Sequence, residues 1–329
     1  MVPMKAVLRE KYGPPEVLRL GEFPRPTPKA GEVLVRVHAA TVNRTDCAIL
    51  RAKPWIMRLV TGLFRPKRPI SGTDFAGVVE AVGQNTHALK VGDAVFGFDD
   101  VGLCSHAEYM IFSEDDAVAI KPTDVSFTEA AASIEGAHYA RNFINKVDLQ
   151  AGDEVLVNGA TGAIGSAMVQ LVKALDARVT AVCGTDHAER VRSLGADAVI
   201  DYQREDFTQS TGRYRFVFDA VGKSTFWKCR RLLEPKGTYI SSEPGWMAQD
   251  IFLALLTPLF GGRRVAFPFP TDRRASVLLL KEYMEEGKFR PLMDRTHPMD
   301  EVVEAFRYVE SGEKVGNVVL EMSPGISLS

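Results

Sequence analysis

The run from Glu154 to Leu175, EVLVNGATGAIGSAMVQLVKAL, restricts what this chain can fold into more than any other stretch. Val155 to Asn158 is an apolar run of strand length, and Ile164, Met168, Leu171, Val172 and Leu175 recur at helical spacing. The turn between them, Gly159 to Gly165, therefore joins a strand directly to a helix. Such a turn aims free backbone N–H groups and the positive end of the helix dipole at one point, which suits a pyrophosphate. Ala160, Gly162 and Gly165 take the three small-residue positions of the dinucleotide-binding pattern. Gly162 lets phosphates approach the backbone, and Gly165 lets the helix pack close to the sheet. Thr161, Ala163 and Ile164 complete the cradle. A tight turn with no ligand is the alternative, and the flanking strand and amphipathic helix weigh against it.

From Glu154 onward strands and helices alternate. The strand candidates are Val155 to Asn158, Arg178 to Cys183, Ala198 to Asp201, Phe216 to Asp219, Gly237 to Ser241 and Val265 to Phe269. Alternation of this kind predicts right-handed crossovers and a doubly wound parallel α/β sheet, with chemistry at the strand carboxyl ends. The first 122 residues read differently. Val33, Val35 and Val37 alternate with Leu34, Arg36 and His38, and glycine-punctuated short strands follow at 72–83 and 91–97. This pattern predicts a small, partly open β-barrel. Six strands complete the nucleotide sheet by about residue 269, so the remaining segment, with helices at 273–287 and 300–312 and a strand at Asn317 to Glu321, is expected to return to the first domain. The expected organisation is 1–122 with 270–329 as the substrate domain and 123–269 as the nucleotide domain. The tail after Ser323 reads as loose.

A net charge of -2 gives no electrostatic reason to expect nucleic acid or an anionic membrane, which leaves a small molecule as the expected partner. The four cysteines, Cys47, Cys104, Cys183 and Cys229, are dispersed and form no C-x-x-C pair. With no apolar signal core near the start, they point to a cytoplasmic protein. The apolar stretches Trp55 to Phe64 and Ile251 to Phe260 are far shorter than the roughly 20 residues of a membrane span. They read as pocket wall, lid or subunit contact.

With Asn43-Arg44-Thr45-Asp46, the Gly72 to Gly83 run, Val91-Gly92-Asp93, Gly159 to Gly165, Ser193 to Tyr202 and Lys314 to Val319 in place, the chain resembles the medium-chain dehydrogenase/reductase superfamily along nearly its whole length. Within it the resemblance is to the zinc-independent quinone oxidoreductase and enone reductase branch. It implies a Rossmann domain, a GroES-like domain and a homodimer joined through the last strand of the nucleotide sheet. Zinc dehydrogenases of this superfamily carry Cys where this chain has Asn43, Gly-His-Glu where it has Gly72-Thr73-Asp74, and a third ligand near Ile134. The expected metal is therefore none.

The resemblance also implies site residues. Asn43 and Thr45 are expected as polar contacts to the substrate, with Asp46 behind them. His138 and Tyr139 are expected beside the nicotinamide or as a proton donor, against simple helix packing as the alternative. Cys183, Gly184, Thr185, Arg190 and Tyr202 are expected around the adenosine ribose, and Ala220, Val221, Ser241 and Asn317 along the rest of the cofactor. No carboxylate follows the second nucleotide strand directly. Asp186, just beyond, makes a capping pair with Glu189, and Arg190 and Arg192 follow. That arrangement predicts NADPH over NADH. The expected reaction is hydride transfer to a quinone or an α,β-unsaturated carbonyl. A zinc-independent alcohol or carbonyl dehydrogenase, or a nucleotide-binding protein with little turnover, are the competing readings.

Overall fold

The computed structural model describes residues 2–100 and 102–322; the tail after Ser323 lies outside them. In chain order the strands are β1 (Pro3–Arg9), β2 (Leu18–Pro24), β3 (Glu32–Val42), β4 (Asp74–Val82), β5 (Ala94–Phe98), β6 (Tyr109–Ser113), β7 (Val118–Ile120), β8 (Glu154–Asn158), β9 (Arg178–Cys183), β10 (Ala198–Asp201), β11 (Tyr214–Asp219), β12 (Leu233–Ser241), β13 (Arg264–Ala266), β14 (Met293–Pro298) and β15 (Asn317–Glu321). The helices are α1 (Arg44–Arg51), α2 (Arg58–Thr61), α3 (Phe127–Ala132), α4 (Glu135–Ile144), α5 (Ala163–Lys173), α6 (Ala188–Ser193), α7 (Phe226–Cys229), α8 (Gln249–Leu256), α9 (Arg273–Glu285) and α10 (Val302–Ser311). The described residues divide into two compact units, those up to 135 together with 273–322, and 136–272.

The first unit is built on a seven-stranded sheet in the order β14-β15-β3-β4-β5-β7, with β6 also paired to β3, and on a separate β1-β2 pair. Strand β3 organises it, because its alternating valines turn one face inward: Val33, Val35 and Val37 are fully buried, while Arg36 and His38 are half-buried. They pack with Phe75, Val79, Val95, Phe112, Phe306 and Val318. Strand β15 pairs antiparallel with β3 and so forms part of this sheet. The stretch 123–135, expected with the nucleotide domain, belongs here instead. Ser126 caps α3 by accepting the Glu129 N–H at 3.2 Å, and α3 packs on β3, β4 and β15.

The second unit is a six-stranded sheet in the order β10-β9-β8-β11-β12-β13, with every pair parallel. Its strands are near-continuous apolar runs because both faces are covered. Helix α5 buries every residue from Gly165 to Val172. The edge strand β13 stops at Ala266, three residues short of the expected end. Pro268 follows, and a residue without an N–H cannot extend the ladder. The stretch Ile251 to Phe260 lies in α8 and a following turn, with Phe252, Leu255, Leu256, Leu259 and Phe260 exposed. Among the described residues no helix is long and apolar enough to cross a membrane.

Candidate active site

In the second unit the strand registers bring the carboxyl ends level: Asp201 is opposite Cys183, Asn158 opposite Val182, and Asp219 opposite both Asn158 and Ser241. The glycine turn opens above this row. Gly159 holds a φ of 80°, a conformation favourable to glycine alone. A Cβ on Gly165 would lie 2.1 Å from the Gly159 carbonyl oxygen, so only glycine lets α5 start this close to the strand. At Gly162 the nearest atom to an added Cβ is 3.6 Å away. That open approach, beside an α5 N-terminus whose cap supplies no side-chain hydrogen bond, fits a pyrophosphate. Gly136 serves the same region, because a Cβ there would lie 2.7 Å from the Ala163 backbone.

Asp219 was not among the expected site residues, yet it fixes the next loop. Fully buried, it accepts the Asn158 amide at 2.9 Å, the N–H groups of Val221, Gly222 and Ser224 at 3.3, 3.0 and 2.8 Å, and the Tyr239 hydroxyl at 3.2 Å. Ala220 and Val221 are thereby held at the strand end, where the Ala220 N–H also donates to Asn158 at 3.0 Å. Ser241 is buried at the end of β12 and accepts the Glu243 N–H at 3.2 Å. A buried carboxylate that ends a strand just before a glycine turn was the readable signal for Asp219.

At the other side of the row, Cys183 is buried and Thr185 is exposed. The Thr185 hydroxyl donates to Asp201, and its N–H donates to the Gln203 side chain at 3.2 Å. A carboxylate does therefore adjoin the end of the second strand, supplied by β10. The Thr185 hydrogen bond holds the Asp201 carboxyl below its ordinary range. The Arg204 guanidinium stands 3.4 Å away. Tyr202 is exposed, its hydroxyl 3.4 Å from where a Gly184 Cβ would be. Arg190 is exposed on α6. His138 is fully buried on α4, 3.1 Å from the Asn142 amide, and its ring packs edge-on to that of half-buried Tyr139. Asn317 lies in the first unit, buried at the start of β15 with its amide donating to the Leu292 carbonyl at 3.0 Å.

The first unit carries a buried polar cluster where β3 runs into α1. Asn43 is 4% exposed, and its amide nitrogen donates to Thr41 at 2.6 Å, Asp74 at 3.0 Å and Glu135 at 2.6 Å. Expected as a contact to substrate, Asn43 is instead a buried bridge with both N–H groups engaged. Thr73 donates to the same Glu135 oxygen at 2.7 Å. Asp46 accepts the Asn43 N–H at 2.9 Å, which pins the first turn of α1. Asp74 accepts both the N–H (2.7 Å) and the hydroxyl of Thr41.

Three buried carboxyls thus share one network. Burial raises each, and the charge of a neighbour raises it further: Asp74 acts on Asp46, Asp46 on Glu135, and Glu135 on Asp74, which reaches about 7. Burial lowers the Lys314 ammonium to about 8 against the pull of Glu135. Glu135 escaped the sequence reading. The signal was a lone acid in the small, apolar run Ala130-Ala131-Ala132-Ser133-Ile134 that precedes it.

Residues 29–126 match the family described as "Alcohol dehydrogenase GroES-like domain" and residues 194–320 the family described as "Zinc-binding dehydrogenase". The chain is 31% identical to a 2-methylene-furan-3-one reductase of Solanum lycopersicum, a match that covers 98% of this chain and 80% of that one. The chain belongs to the medium-chain dehydrogenase/reductase superfamily, in its quinone and enone reductase branch. It is 30% identical to an NADPH-dependent alkenal/one oxidoreductase, chloroplastic, of Arabidopsis thaliana, over the same shares of the two chains. A quinone oxidoreductase from Coxiella burnetii superposes with a TM-score of 0.87 at 25% identity, over 98% of this chain and 100% of that one. The protein is accordingly a nicotinamide-dependent oxidoreductase with a GroES-like and a Rossmann domain.

Proposed function

We propose that this protein reduces an electron-poor C=C bond or a quinone with NADPH, and does so without zinc. The observation that carries the reading is the use made of the positions where relatives place zinc ligands. The amide nitrogen of Asn43 and the hydroxyl of Thr73 both donate to Glu135, and Ile134 is apolar. Side chains acting as donors do not fit a metal that takes lone pairs. A saturated carbonyl needs strong polarisation to accept hydride, whereas a conjugated acceptor spreads the incoming charge onto an oxygen that hydrogen bonds can stabilise. NADPH, when bound, supplies the hydride.

The chain's own residues divide the remaining work. Ala160 to Gly165 would take the pyrophosphate on backbone N–H groups, with Asp219 fixing the adjoining Ala220–Val221 turn. Thr185, Tyr202 and Arg190 would meet the adenosine ribose and its phosphate, and Asp201 would set the charge beside them. In the first unit Thr45, half-exposed between Asn43 and Asp46 of the polar cluster, would donate to the acceptor oxygen. Tyr139 remains a second candidate for contact with the reacting groups. The family resemblance and the open edge at β13, short and with Arg264 exposed, support a homodimer through that edge, and four free thiols support the cytoplasm.

The test is product identity with an enone, deuterated NADPH and protein of measured metal content. Deuterium on the β-carbon of a saturated ketone, from protein with far less than one zinc per chain, is expected. Deuterium on the carbinol carbon of an allylic alcohol would make it a carbonyl reductase, and stoichiometric zinc required for turnover would overturn the metal-free reading.

A further inference from the structure

We infer that the segment 53–68 of the first unit docks on an anionic phospholipid bilayer. The net charge of -2 averages over an uneven chain: between Asp46 and Asp74 there is no acidic residue, against six basic ones, Arg51, Lys53, Arg58, Arg65, Lys67 and Arg68. Two are engaged within the unit, since Arg51 pairs with Glu310 and the half-buried Arg58 guanidinium lies 5.0 Å from the centre of the Tyr12 ring. Lys53, Arg65, Lys67 and Arg68 are exposed, and among the described residues none of them forms an ion pair. One short stretch therefore turns their positive charges to solvent.

The same stretch exposes large apolar side chains. Trp55, Leu59 and Leu63 recur every fourth residue through the turn Trp55–Met57 and α2, and Phe64 follows; they are 63%, 60%, 45% and 88% exposed. The backbone holds the last two out as a tip. The Lys67 N–H donates to the Thr61 carbonyl at 2.8 Å and the Gly62 N–H to that of Arg58 at 2.9 Å, so Leu63 and Phe64 stand at the apex of a closed loop. Gly62 makes the loop possible: its φ is 127°, and a Cβ there would lie 2.1 Å from the Arg65 carbonyl oxygen. The Tyr12 hydroxyl, hydrogen-bonded to the Thr61 hydroxyl at 2.7 Å and donating to the Gly62 carbonyl at 2.8 Å, ties the base of the loop to the chain between β1 and β2.

An apolar apex flanked by unpaired bases matches the two layers of a bilayer surface. Phe64, Leu63 and Trp55 enter the boundary between headgroups and acyl chains, and Arg65, Lys67 and Arg68 meet the anionic headgroups beside them. Charge complementarity selects an anionic surface over a neutral one. Shape selects a bilayer over a folded partner, because a protruding Phe64 needs no matching cavity in a soft apolar phase.

The experiment is co-sedimentation of the full chain with vesicles of phosphatidylcholine alone and of equal parts phosphatidylcholine and phosphatidylserine. Wild type should bind the second and not the first, and raising NaCl from about 0.1 M to about 0.5 M should release most of it. Each base beside an anionic surface contributes about fivefold. Arg65→Gln should therefore weaken binding about fivefold, and Arg65→Gln/Lys67→Gln/Arg68→Gln together roughly a hundredfold. Leu63→Ser/Phe64→Ser should cost about tenfold or more. Lys29→Gln is the matched control: Lys29 precedes the 11-residue strand β3 and α1 follows it, a separation of roughly 35 Å and several Debye lengths, so binding should stay within about twofold. All these side chains are exposed, so the variants should melt with wild type. Equal binding of wild type to the two vesicles, a triple or Leu63→Ser/Phe64→Ser variant that binds as wild type does, or a Lys29→Gln as weak as Arg65→Gln would each overturn the inference. A dimer mass that falls to a monomer in Leu63→Ser/Phe64→Ser would give the patch to a second copy and overturn it as well. Binding is read without turnover, so the result is independent of the reductase reading.

Discussion

Gly165→Ala separates the packing role of the glycine turn from its binding role. The new Cβ would lie 2.1 Å from the Gly159 oxygen, 2.7 Å from its carbonyl carbon and 2.9 Å from the Ala160 Cα. All three are backbone atoms, so no side-chain rotation relieves the contact, and α5 must move off the β8 turn. Overpacking of this kind costs up to about 3 kcal/mol. Replacing glycine by alanine inside a helix returns about 1 kcal/mol. The net of about 2 kcal/mol corresponds to roughly 4 to 8 °C for a unit of this size. Gly162→Ala is the contrast. Gly162 has a φ of -73°, which alanine adopts freely, and an added Cβ meets its nearest atom at 3.6 Å. Stability should change by only about 0.5 kcal/mol, while NADPH affinity falls at least about tenfold, because the methyl occupies the path of the phosphates. Thermal melting of the cofactor-free variants and titration of NADPH fluorescence measure the two effects. A Gly165→Ala that melts with wild type, or a Gly162→Ala that binds NADPH as wild type does, would refute the reasoning.

Asp219→Ala removes an acceptor from three backbone N–H groups and two side chains. Hydrogen bonds to a charged group contribute about 1.5 to 3 kcal/mol each, so urea unfolding should show a loss of at least about 3 kcal/mol. Asp74, raised to about 7 in the native protein, binds a proton there that the unfolded chain has released above its ordinary value of 3.8. Its stabilising contribution is complete below that ordinary value and is lost as pH rises to about 7, so Asp74→Asn should flatten the fall of stability between about pH 4 and 7, by a few kcal/mol at most (~1.4 kcal/mol per pH unit); parallel curves for the two proteins would count against it. NADPH should bind more tightly than NADH, and Arg190→Ala should shrink that preference about five-fold or more; equal affinities in wild type would show that Asp201 governs the site instead. Light scattering should give a dimer mass, and a clean monomer would remove the role assigned to β13.

The parallel nucleotide domain was readable from the chain because its rules are local. Apolar runs of strand length, amphipathic helices and a glycine turn that only one geometry satisfies occur in sequence order, and strands β9 and β10 fall where the residues place them. The short barrel strands were readable from the alternation in β3 and the glycine punctuation. Tertiary structure decided what depends on approach between distant residues. Glu135 is 92 positions from Asn43 and 62 from Thr73, and no local pattern announces that a lone acid after an alanine run will collect both. Asp201 reaches Thr185 because neighbouring parallel strands end level, although 16 residues separate them. For the same reason Asn43, which the local motif presents as an exposed polar contact, is buried: Asp74 and Glu135 arrive from elsewhere in the chain and take its hydrogens. Sequence fixes the backbone conformations that short-range sterics allow, while the ionisation of a buried cluster depends on which charges the fold brings together and removes from water.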